Sequence, residues 1–300
     1  MLRHTAFITL LLATTLARAD TIFVANQSGN TIEEYNSAGV SSIFSNSSLL
    51  DNPEALALDA NGNLFVANGF NNTIVKITPQ GNASVFANTG LNQPLGMAFD
   101  ASGNLFVANN HGSTIEMFTP SGTASLFANT GLVGPYGLAF DKNGNLYAAN
   151  NVGGIEKFSP SGTPTLFANS GLLYPGGLAF DKNGNLFVDN YGNSTIEKFD
   201  SAGNPTFFAN ITAPTGLAFD SSGNLFAIDS REDTLEEIDA TGKVTVFGST
   251  GLAPYGIAIM AASAPDTAST LAMLILSAGM LLAGRHYSRR HLVANGSVCN

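Results

Sequence analysis

Short apolar runs separated by polar turns recur along most of the chain, and they fall into four signatures that repeat six times. The first signature follows a proline, and the second reads LFVAN, as in Leu105–Asn109. The third and fourth read like TIEKF and SLFAN and begin near Thr114 and Ser125. These runs are short and rich in Phe, Val, Ile and Thr, which predicts β-strands rather than helices. The six proline-led copies are Pro53–Leu58, Pro94–Phe99, Pro135–Phe140, Pro175–Phe180, Pro214–Phe219 and Pro254–Ile259.

A recurring Asp-x-x-Gly-Asn turn sets the length of one repeat. It begins at Asp59, Asp100, Asp141, Asp181 and Asp220. The intervals of 41, 41, 40 and 39 residues are typical of one propeller blade. A parallel β-helix is the alternative repeat fold, but its coils are shorter. The aspartate can accept backbone hydrogen bonds and the glycine can take a positive φ, so the motif favours a tight turn between strands.

The two ends of the chain divide one repeat between them. The chain begins with a second-strand signature at Thr21–Asn26, and its last proline-led run, Pro254–Ile259, is a first strand without successors. Pairing these segments completes the sixth copy and removes unpaired strand edges. We therefore predict an all-β fold, a six-bladed β-propeller over residues 20–260. Each blade has four antiparallel strands, and the last blade is closed by N-terminal strands 2–4 and C-terminal strand 1.

The repeat unit resembles that of NHL-repeat propellers. The stretch 135–162, PYGLAFDKNGNLYAANNVGGIEKFSPSG, is similar to that family's unit in its first strand, Gly-Asn turn and second strand. It departs at the end of the second strand, where the family usually has Asp and this chain has Asp only at Asp229. The other copies have Asn26, Asn68, Asn109, Asn150 and Asn190. The resemblance implies the fold but no particular activity, because propellers carry many unrelated sites.

Both termini carry targeting patterns. Residues 1–19 combine Arg3, an apolar run and Ala17-Arg18-Ala19, which predicts a secretory signal peptide; a membrane anchor is the alternative. Residues 261–300 resemble PEP-CTERM sorting signals of the Val-Pro-Asp-Ser-Gly type, with a short polar motif around Pro265 and Asp266. The apolar run at 268–283 predicts a transmembrane helix, and the basic residues behind it favour a cytoplasmic tail. The resemblance implies an exosortase-like processing enzyme as a partner; an uncleaved single-pass anchor is the alternative.

The charge balance of the predicted propeller is acidic. Residues 20–260 contain seven Lys or Arg and 21 Asp or Glu, a net charge of −14. Nucleic acid is therefore excluded as a partner, since phosphate binding needs a basic surface. The single cysteine, Cys299, lies in the C-terminal tail, so the propeller needs neither disulfides nor thiolate metal ligands. The targeting patterns and this charge together predict a location at the cell surface or in the extracellular matrix, after at least transient membrane anchoring.

Two acidic residues are candidate metal ligands. The repeat alignment places six residues around one mouth of the central channel: Glu54, Leu95, Tyr136, Gly176, Thr215 and Tyr255. Glu54 is the only acid in that ring, and Asp189 is an acid where other copies have alanine, as at Ala67. A resemblance to gluconolactonase-like propellers implies that Glu54 and Asp189 hold a divalent cation, with calcium as its occupant. The alternative is a solvated glutamate and an aspartate bonded to a neighbouring turn.

Aromatic residues near the same mouth are candidates for ligand contacts. They are Phe70, His111, Tyr136, Tyr191 and Tyr255. His111 is placed in a loop where other copies carry Phe70 or Tyr191. A resemblance to virginiamycin-lyase-like propellers would make His111 a base, but a surface aromatic role is favoured because no Ser/His/Asp set accompanies it. The recurring asparagines are interpreted as backbone-binding residues rather than as sugar ligands.

The sequence favours a non-catalytic module that binds an extracellular polysaccharide or an envelope protein through its loop face. It carries no phosphate-binding loop, cofactor fingerprint or zinc motif, so no cofactor is required. Two alternatives remain at this point. One is a divalent-metal-dependent enzyme of lactonase or lyase type, with its site in the channel. The other is a purely structural component of the matrix without a defined ligand.

Overall fold

Six antiparallel sheets of four strands make up the regular structure of this computed structural model. The structure describes residues 20–152 and 154–262, and Asp20–Ala261 form one compact unit. The predicted signal peptide and the predicted sorting motif with its apolar run lie outside the described residues. Within the described ranges, no helix has the length and apolar character needed to cross a bilayer.

Each sheet is one blade, and the blades are numbered here in chain order, with the blade that contains both chain ends as blade 1. Blade 1 consists of β1 (Thr21–Asn26), β2 (Thr31–Tyr35), β3 (Ser41–Ser45) and β24 (Pro254–Met260). Blade 2 consists of β4 (Pro53–Leu58), β5 (Leu64–Asn68), β6 (Thr73–Ile77) and β7 (Ala83–Ala87). Blade 3 consists of β8 (Pro94–Phe99), β9 (Leu105–Asn109), β10 (Thr114–Phe118) and β11 (Ala124–Ala128).

The other three blades follow the same order. Blade 4 consists of β12 (Pro135–Phe140), β13 (Leu146–Asn150), β14 (Gly154–Phe158) and β15 (Pro164–Ala168). Blade 5 consists of β16 (Pro175–Phe180), β17 (Leu186–Asn190), β18 (Thr195–Phe199) and β19 (Pro205–Asn210), with a 3-10 turn at Tyr191–Asn193. Blade 6 consists of β20 (Pro214–Phe219), β21 (Leu225–Asp229), β22 (Thr234–Ile238) and β23 (Val244–Ser249).

The predicted closure of the ring is confirmed. Strand β24 pairs antiparallel with β1, so that Ile259 lies opposite Ile22 and Ile257 opposite Val24. The first strands of the six blades contact one another in the ring order β4, β8, β12, β16, β20, β24 and back to β4. They surround a narrow channel with a cavity of about 90 Å³. The fold is therefore the six-bladed propeller that the repeat predicts.

Apolar packing between neighbouring blades holds the ring together. Phe106 is 5% exposed and packs with the next blade, where its ring lies edge-on to Phe140 at a centroid distance of 5.1 Å. Val107, the next residue along the same strand, is fully buried against the preceding blade. Both faces of a second strand are thus buried, which is why these strands are nearly continuous apolar runs rather than alternating ones.

The predicted Asp-x-x-Gly-Asn turns form as expected from their chemistry. Asp59 Oδ1 accepts hydrogen bonds from the amides of Asn61 and Asn63 at 2.9 and 2.8 Å. Gly62 takes a φ of 75°, in the left-handed region that glycine enters at little cost. The contact to the amide four residues on recurs at Asp100, Asp141, Asp181 and Asp220. A local side-chain contact therefore fixes the connection between the first and second strand of each of these blades.

Candidate functional site

A β-bulge at the start of each first strand directs one residue of every blade towards the channel mouth. In blade 2, Pro53 lies opposite Asn68, but the next pair is Ala55 with Ala67, so Glu54 is the extra residue. Comparable register shifts occur in the other five blades. A bulge bends its strand and changes the direction of the extra side chain. The bulge therefore accounts for the predicted ring of six mouth residues.

Two tyrosines from opposite blades meet across this mouth. Tyr136 belongs to β12 and Tyr255 to β24, which are three places apart in the ring of six first strands. Their ring centroids are 6.0 Å apart with an angle of 41° between the ring planes. The pair divides the mouth into two sides. Glu54 lies on one side, and Gly176 and Thr215 lie on the other.

A cavity of about 330 Å³ lies on the Gly176 side, and we call it the tyrosine cavity. Its volume falls at the lower end of the roughly 300–1,000 Å³ that is typical of small-molecule sites. Its lining consists of four tyrosines, two prolines and four smaller or polar residues, from blades 1, 4, 5 and 6. The lining residues are Tyr136, Asn151, Tyr174, Pro175, Gly176, Asp189, Tyr191, Pro214, Thr215 and Tyr255.

Asp189 forms the floor of the tyrosine cavity. It lies opposite the Gly176–Gly177 bulge, where the other second strands have Ala25, Ala67, Ala108, Ala149 and Ile228. The side chain is fully buried, and Oδ2 accepts a hydrogen bond from the Gly177 amide at 2.7 Å. Among the described residues, Oδ1 has no hydrogen-bond partner. Burial raises the pKa of Asp189 to about 8, while the hydrogen bond from the Gly177 amide acts in the opposite direction.

Gly176 is required by this arrangement. A β-carbon on Gly176 would lie 2.4 Å from Asp189 Oδ1, far inside van der Waals contact. The equivalent bulge residues of the other blades are larger, for example Leu95 and Thr215. The absence of a side chain at this one position both admits the aspartate and leaves room for the cavity above it.

Tyr174 is a lining residue that the sequence analysis did not single out. It precedes Pro175 and has a φ of 53°, in the left-handed region that disfavours bulky side chains. The equivalent residues of the other blades share this backbone conformation. They are Asn52, Gln93, Gly134, Ala213 and Ala253, of which asparagine and glycine adopt it most readily. A tyrosine here costs free energy that asparagine or glycine would not, which suggests that its ring serves the cavity.

Tyr191 lines the tyrosine cavity because of its place in the loop after β17. It follows the strand directly, as Asn110 and Asn151 follow theirs. His111 is instead the second residue of its loop. A 3-10 turn begins at Tyr191, and Gly192 rather than residue 191 donates its amide to the preceding loop, at Leu173 O.

Phe70 and His111 do not reach the tyrosine cavity. Phe70 is 72% exposed in the loop after β5, and His111 is exposed in the loop after β9. Each is the second residue of its loop, whereas the first residue lies nearer the channel. Of the five predicted aromatic candidates, the structure thus brings together Tyr136, Tyr191 and Tyr255.

Glu54 is held by neighbouring amides on the far side of the tyrosine pair. Its carboxylate oxygens accept short hydrogen bonds from Gln27 Nε2 and Asn52 Nδ2. Burial raises the pKa of Glu54 to about 7, against the lowering effect of these two hydrogen bonds. Burial, and then the charge of Glu54, raises the pKa of Tyr255. The glutamate therefore connects blade 1 to blade 2 and places an acid beside the tyrosine pair.

The two candidate metal ligands lie on opposite sides of the channel. Glu54 belongs to β4, and Asp189 lies behind β16, which is three places away in the ring. Among the described residues, no group of three or more His, Cys, Asp or Glu side chains is placed to hold a metal ion. Calcium usually takes six to eight oxygen ligands. Binding of calcium by Glu54 and Asp189 stays a prediction.

The recurring asparagines bind the loops between blades. Asn109 Nδ2 donates to Gly90 O at 2.9 Å, and Asn109 Oδ1 accepts from the amide of Asn92 at 3.0 Å. Asn68, Asn150 and Asn190 make the same pair of contacts to the loops that precede their own blades. In blade 1 the pattern is incomplete, because Asn26 Oδ1 has no partner. These contacts support the structural interpretation of the asparagines.

A larger groove of about 640 Å³ lies between blades 5 and 6, next to the turns that join first and second strands. Its lining includes Asp181, Phe187, Lys198 and Asp220. These residues belong to the repeat pattern and recur in similar form in other blades. The groove is therefore a consequence of the repeat, whereas the tyrosine cavity is built from residues that depart from it.

Comparison with known proteins identifies the fold alone. No protein-family model matches the chain, and no curated protein matches it either. A chain from the crystal structure of a nidogen/laminin complex is similar over 80% of this chain and 98% of its own length, with a TM-score of 0.72 and 22% identity. Virginiamycin B lyase from Staphylococcus aureus has a TM-score of 0.63 and 15% identity, with 81% of this chain and 89% of the lyase covered.

A gluconolactonase from Xanthomonas campestris has a TM-score of 0.61 and 19% identity, with 68% of this chain and 77% of the lactonase covered. The chain is a six-bladed β-propeller. Proteins that share this shape include two enzymes and a member of a protein complex. At these identities the likenesses show a common fold, and function has to be argued from the site.

Proposed function

We propose that the protein is an exported, non-catalytic binding module that takes a segment of extracellular polysaccharide in the tyrosine cavity. The observation that carries this proposal is the convergence of four tyrosines from three blades on one cavity of about 330 Å³. Asp189 is an acid where the other five repeats have alanine or isoleucine, and Gly176 is the one residue at its position without a side chain. Both line the cavity that the four tyrosines share.

The lining chemistry favours a sugar. A tyrosine ring offers a flat apolar face and a hydroxyl group, which suit the apolar face and the hydroxyl groups of a pyranose ring. Asn151 and Thr215 add polar groups beside the rings, and Asn151 is exposed. The net charge of −14 over residues 20–260 disfavours polyanions, nucleic acid included. We further propose that a signal peptide directs export of the module. An exosortase-like enzyme would then act on the C-terminal segment with its predicted membrane helix and release the module to the cell surface or matrix.

Two other functions have some support. The nidogen/laminin likeness shows that a propeller of this shape occurs in a complex between proteins, which supports an envelope protein as an alternative partner. The lyase and lactonase likenesses support a metal-dependent enzyme. The enzyme alternative predicts calcium binding that is lost in Glu54→Gln. If the wild-type protein binds no calcium, or if Glu54→Gln binds it unchanged, that alternative is removed.

The proposal is tested by binding of the purified full-length protein to immobilised polysaccharides. Tyr191→Ala should weaken binding about threefold to tenfold, since a ring that packs on a ligand contributes roughly 0.5–1.5 kcal/mol beyond its area. Phe70→Ala is the matched control, because it removes a still more exposed ring from an equivalent loop outside the cavity. Binding to no polysaccharide, or wild-type affinity in Tyr191→Ala, would contradict the proposal.

A further inference from the structure

We propose that the tyrosine cavity recognises a protonated amino group, carried by an amino sugar, with Asp189 Oδ1 as its acceptor. This inference rests on the proposed function and names the class of sugar. It starts from an unusual combination at one place in the molecule. A buried acid with one free oxygen lies beneath four aromatic rings, in a position where every other repeat is apolar.

The first observation is the unpartnered oxygen. Asp189 is fully buried, and while Oδ2 is bonded to the Gly177 amide, Oδ1 has no partner within the described structure. A buried polar atom without a hydrogen bond costs about 1–3 kcal/mol, and more when it carries charge. Such a cost is rarely retained in a native protein without a reason. A donor from a ligand would remove it.

The second observation is that Gly176 leaves this oxygen in reach of the cavity. In other blades the equivalent residue carries a side chain, such as Leu95 or Tyr136. At position 176 a β-carbon would lie 2.4 Å from Oδ1 and would occupy the space between the carboxyl group and the cavity. Glycine therefore leaves free the space beside Oδ1 that a β-carbon would occupy. Asp189 and Gly176 act as one unit, because a side chain at position 176 would collide with the acid.

The third observation is the aromatic wall. A cation within about 6 Å of an aromatic centroid is attracted by the ring, and alkylated or protonated amines are often enclosed by several such rings. Tyr136, Tyr174, Tyr191 and Tyr255 all line the cavity that contains Asp189. The lining includes no Lys, Arg or His among the described residues, so nothing there repels a cation. An ammonium group thus meets aromatic rings and the Asp189 carboxyl group in one cavity. Its positive charge favours the ionised form of Asp189, which without a ligand keeps its proton up to its pKa of about 8.

A bare metal cation suits the cavity less well. Calcium requires about six to eight oxygen ligands, and one carboxyl group beneath four aromatic rings cannot supply them. A neutral sugar could stack on the tyrosines, but its hydroxyl group would gain less than an ammonium group from a carboxylate, because charge-assisted hydrogen bonds are roughly twice as strong. The geometry thus favours an amine over either alternative.

Isothermal titration calorimetry with the full-length protein tests this inference. The two probes are the trisaccharide of glucosamine, whose nitrogens are protonated amines, and its fully N-acetylated counterpart, whose nitrogens are neutral and carry an acetyl group. Because the acetyl group also adds bulk, the Asp189→Asn variant is needed to assign a preference to the carboxyl group. The wild-type protein should bind the amine form about tenfold more tightly or better, as expected for one charge-assisted hydrogen bond. Asp189→Asn keeps the size of the side chain and removes its capacity to ionise when an ammonium group binds, so the preference should fall to about twofold or less.

Controls distinguish this inference from the proposed function. Tyr191→Ala should weaken amine binding about threefold to tenfold, and this exposed substitution also serves if Asp189→Asn does not fold. His111→Ala, in an equivalent loop outside the cavity, should bind as wild type does. Equal affinity for both trisaccharides would overturn the amine preference and leave polysaccharide binding standing. The amine preference would also be overturned if neither trisaccharide bound, or if Asp189→Asn still preferred the amine form as strongly as wild type. The binding assay with immobilised polysaccharides then tests the proposed function separately.

Discussion

Single residues that depart from the repeat give this propeller its chemistry. Six copies of one unit provide an internal comparison, since a position that serves only the fold tends to carry the same kind of residue in each copy. Asp189 replaces a small or apolar residue, Gly176 lacks a side chain that its counterparts have, and Tyr174 occupies a strained backbone position. All three line one cavity. The unpartnered oxygen of Asp189 and the left-handed backbone of Tyr174 each cost free energy of folding.

Asp189 should make the stability of the protein depend on pH. Its pKa in the folded protein is about 8, above the ordinary value of 3.8, so the folded state keeps a proton that the unfolded state loses. The free energy of unfolding should therefore be highest near pH 4 and fall as the pH rises towards 8. Each unit of pKa difference corresponds to about 1.4 kcal/mol, so the loss should reach several kcal/mol.

Urea unfolding between pH 4 and pH 8 measures this effect. Asp189→Asn should remove most of the decline and be more stable than wild type at pH 8. Glu54→Gln is the matched comparison. The pKa of Glu54 is about 7, so this variant should remove only the part of the stability decline that ends near pH 7. A wild-type stability that rises from pH 4 to pH 8 would contradict the burial of a carboxyl group at position 189.

Phe106 tests the packing between blades. Its ring lies edge-on to Phe127 at 4.9 Å and to Phe140 at 5.1 Å. Phe106→Ala should lower the free energy of unfolding by about 3–5 kcal/mol, as expected for a large buried aromatic side chain. Leu126→Ala, at a 54% exposed position of β11, should change it by less than about 0.5 kcal/mol. Similar losses in the two variants would show that the blades do not pack as described.

A second kind of contact joins neighbouring blades. It runs from the last residue of a second strand to the loop that precedes the first strand of the same blade. Asn109→Ala should cost about 1–3 kcal/mol, because Gly90 O and the Asn92 amide both lose their partner. Asn26→Ala is the matched comparison in blade 1, where the side-chain oxygen has no partner and the loss should be smaller. Equal losses in thermal or urea unfolding would contradict a role in holding the loops.

The sequence predicted the positions of the β-strands better than any other feature. Strand bounds agree closely with the apolar runs, and fourth strands begin only one residue earlier than expected, for example at Ala124 rather than Ser125. The reason is that strand patterns and turns depend on residues close together in the sequence, whereas contacts across the channel join residues that are far apart in it. The repeat places Tyr136 and Tyr255 on opposite blades, but nothing in it shows that their rings meet. Tyr174 carried no signal, because its position varies from blade to blade.

At the scale of the whole molecule, the ring depends on one strand supplied by the far end of the chain. Deletion of residues 252–259 should remove most of β24, expose the edge of β1 and open the contacts of blade 1 with blades 2 and 6. Unpaired strand edges promote intermolecular pairing, so aggregation is expected. Size-exclusion chromatography and thermal unfolding measure this outcome. A soluble truncated protein with a single cooperative transition would show that closure is not required.

Differences between the blades at the channel mouth allow a ring of similar repeats to carry a single site. A ring of identical blades would present six similar positions around its axis, and no one of them would be preferred. Here the tyrosine pair divides the channel mouth, with Glu54 on one side and the tyrosine cavity on the other. Asymmetry at the mouth thus arises from a few side chains on a nearly symmetric frame.

A crystal structure of the full-length protein with the trisaccharide of glucosamine would show whether the tyrosine cavity is the binding site. We expect a sugar ring among Tyr136, Tyr174 and Tyr191, with its amino nitrogen within hydrogen-bond distance, about 2.7–3.2 Å, of Asp189 Oδ1. A trisaccharide bound only elsewhere on the propeller, with the tyrosine cavity left free of sugar, would contradict this expectation.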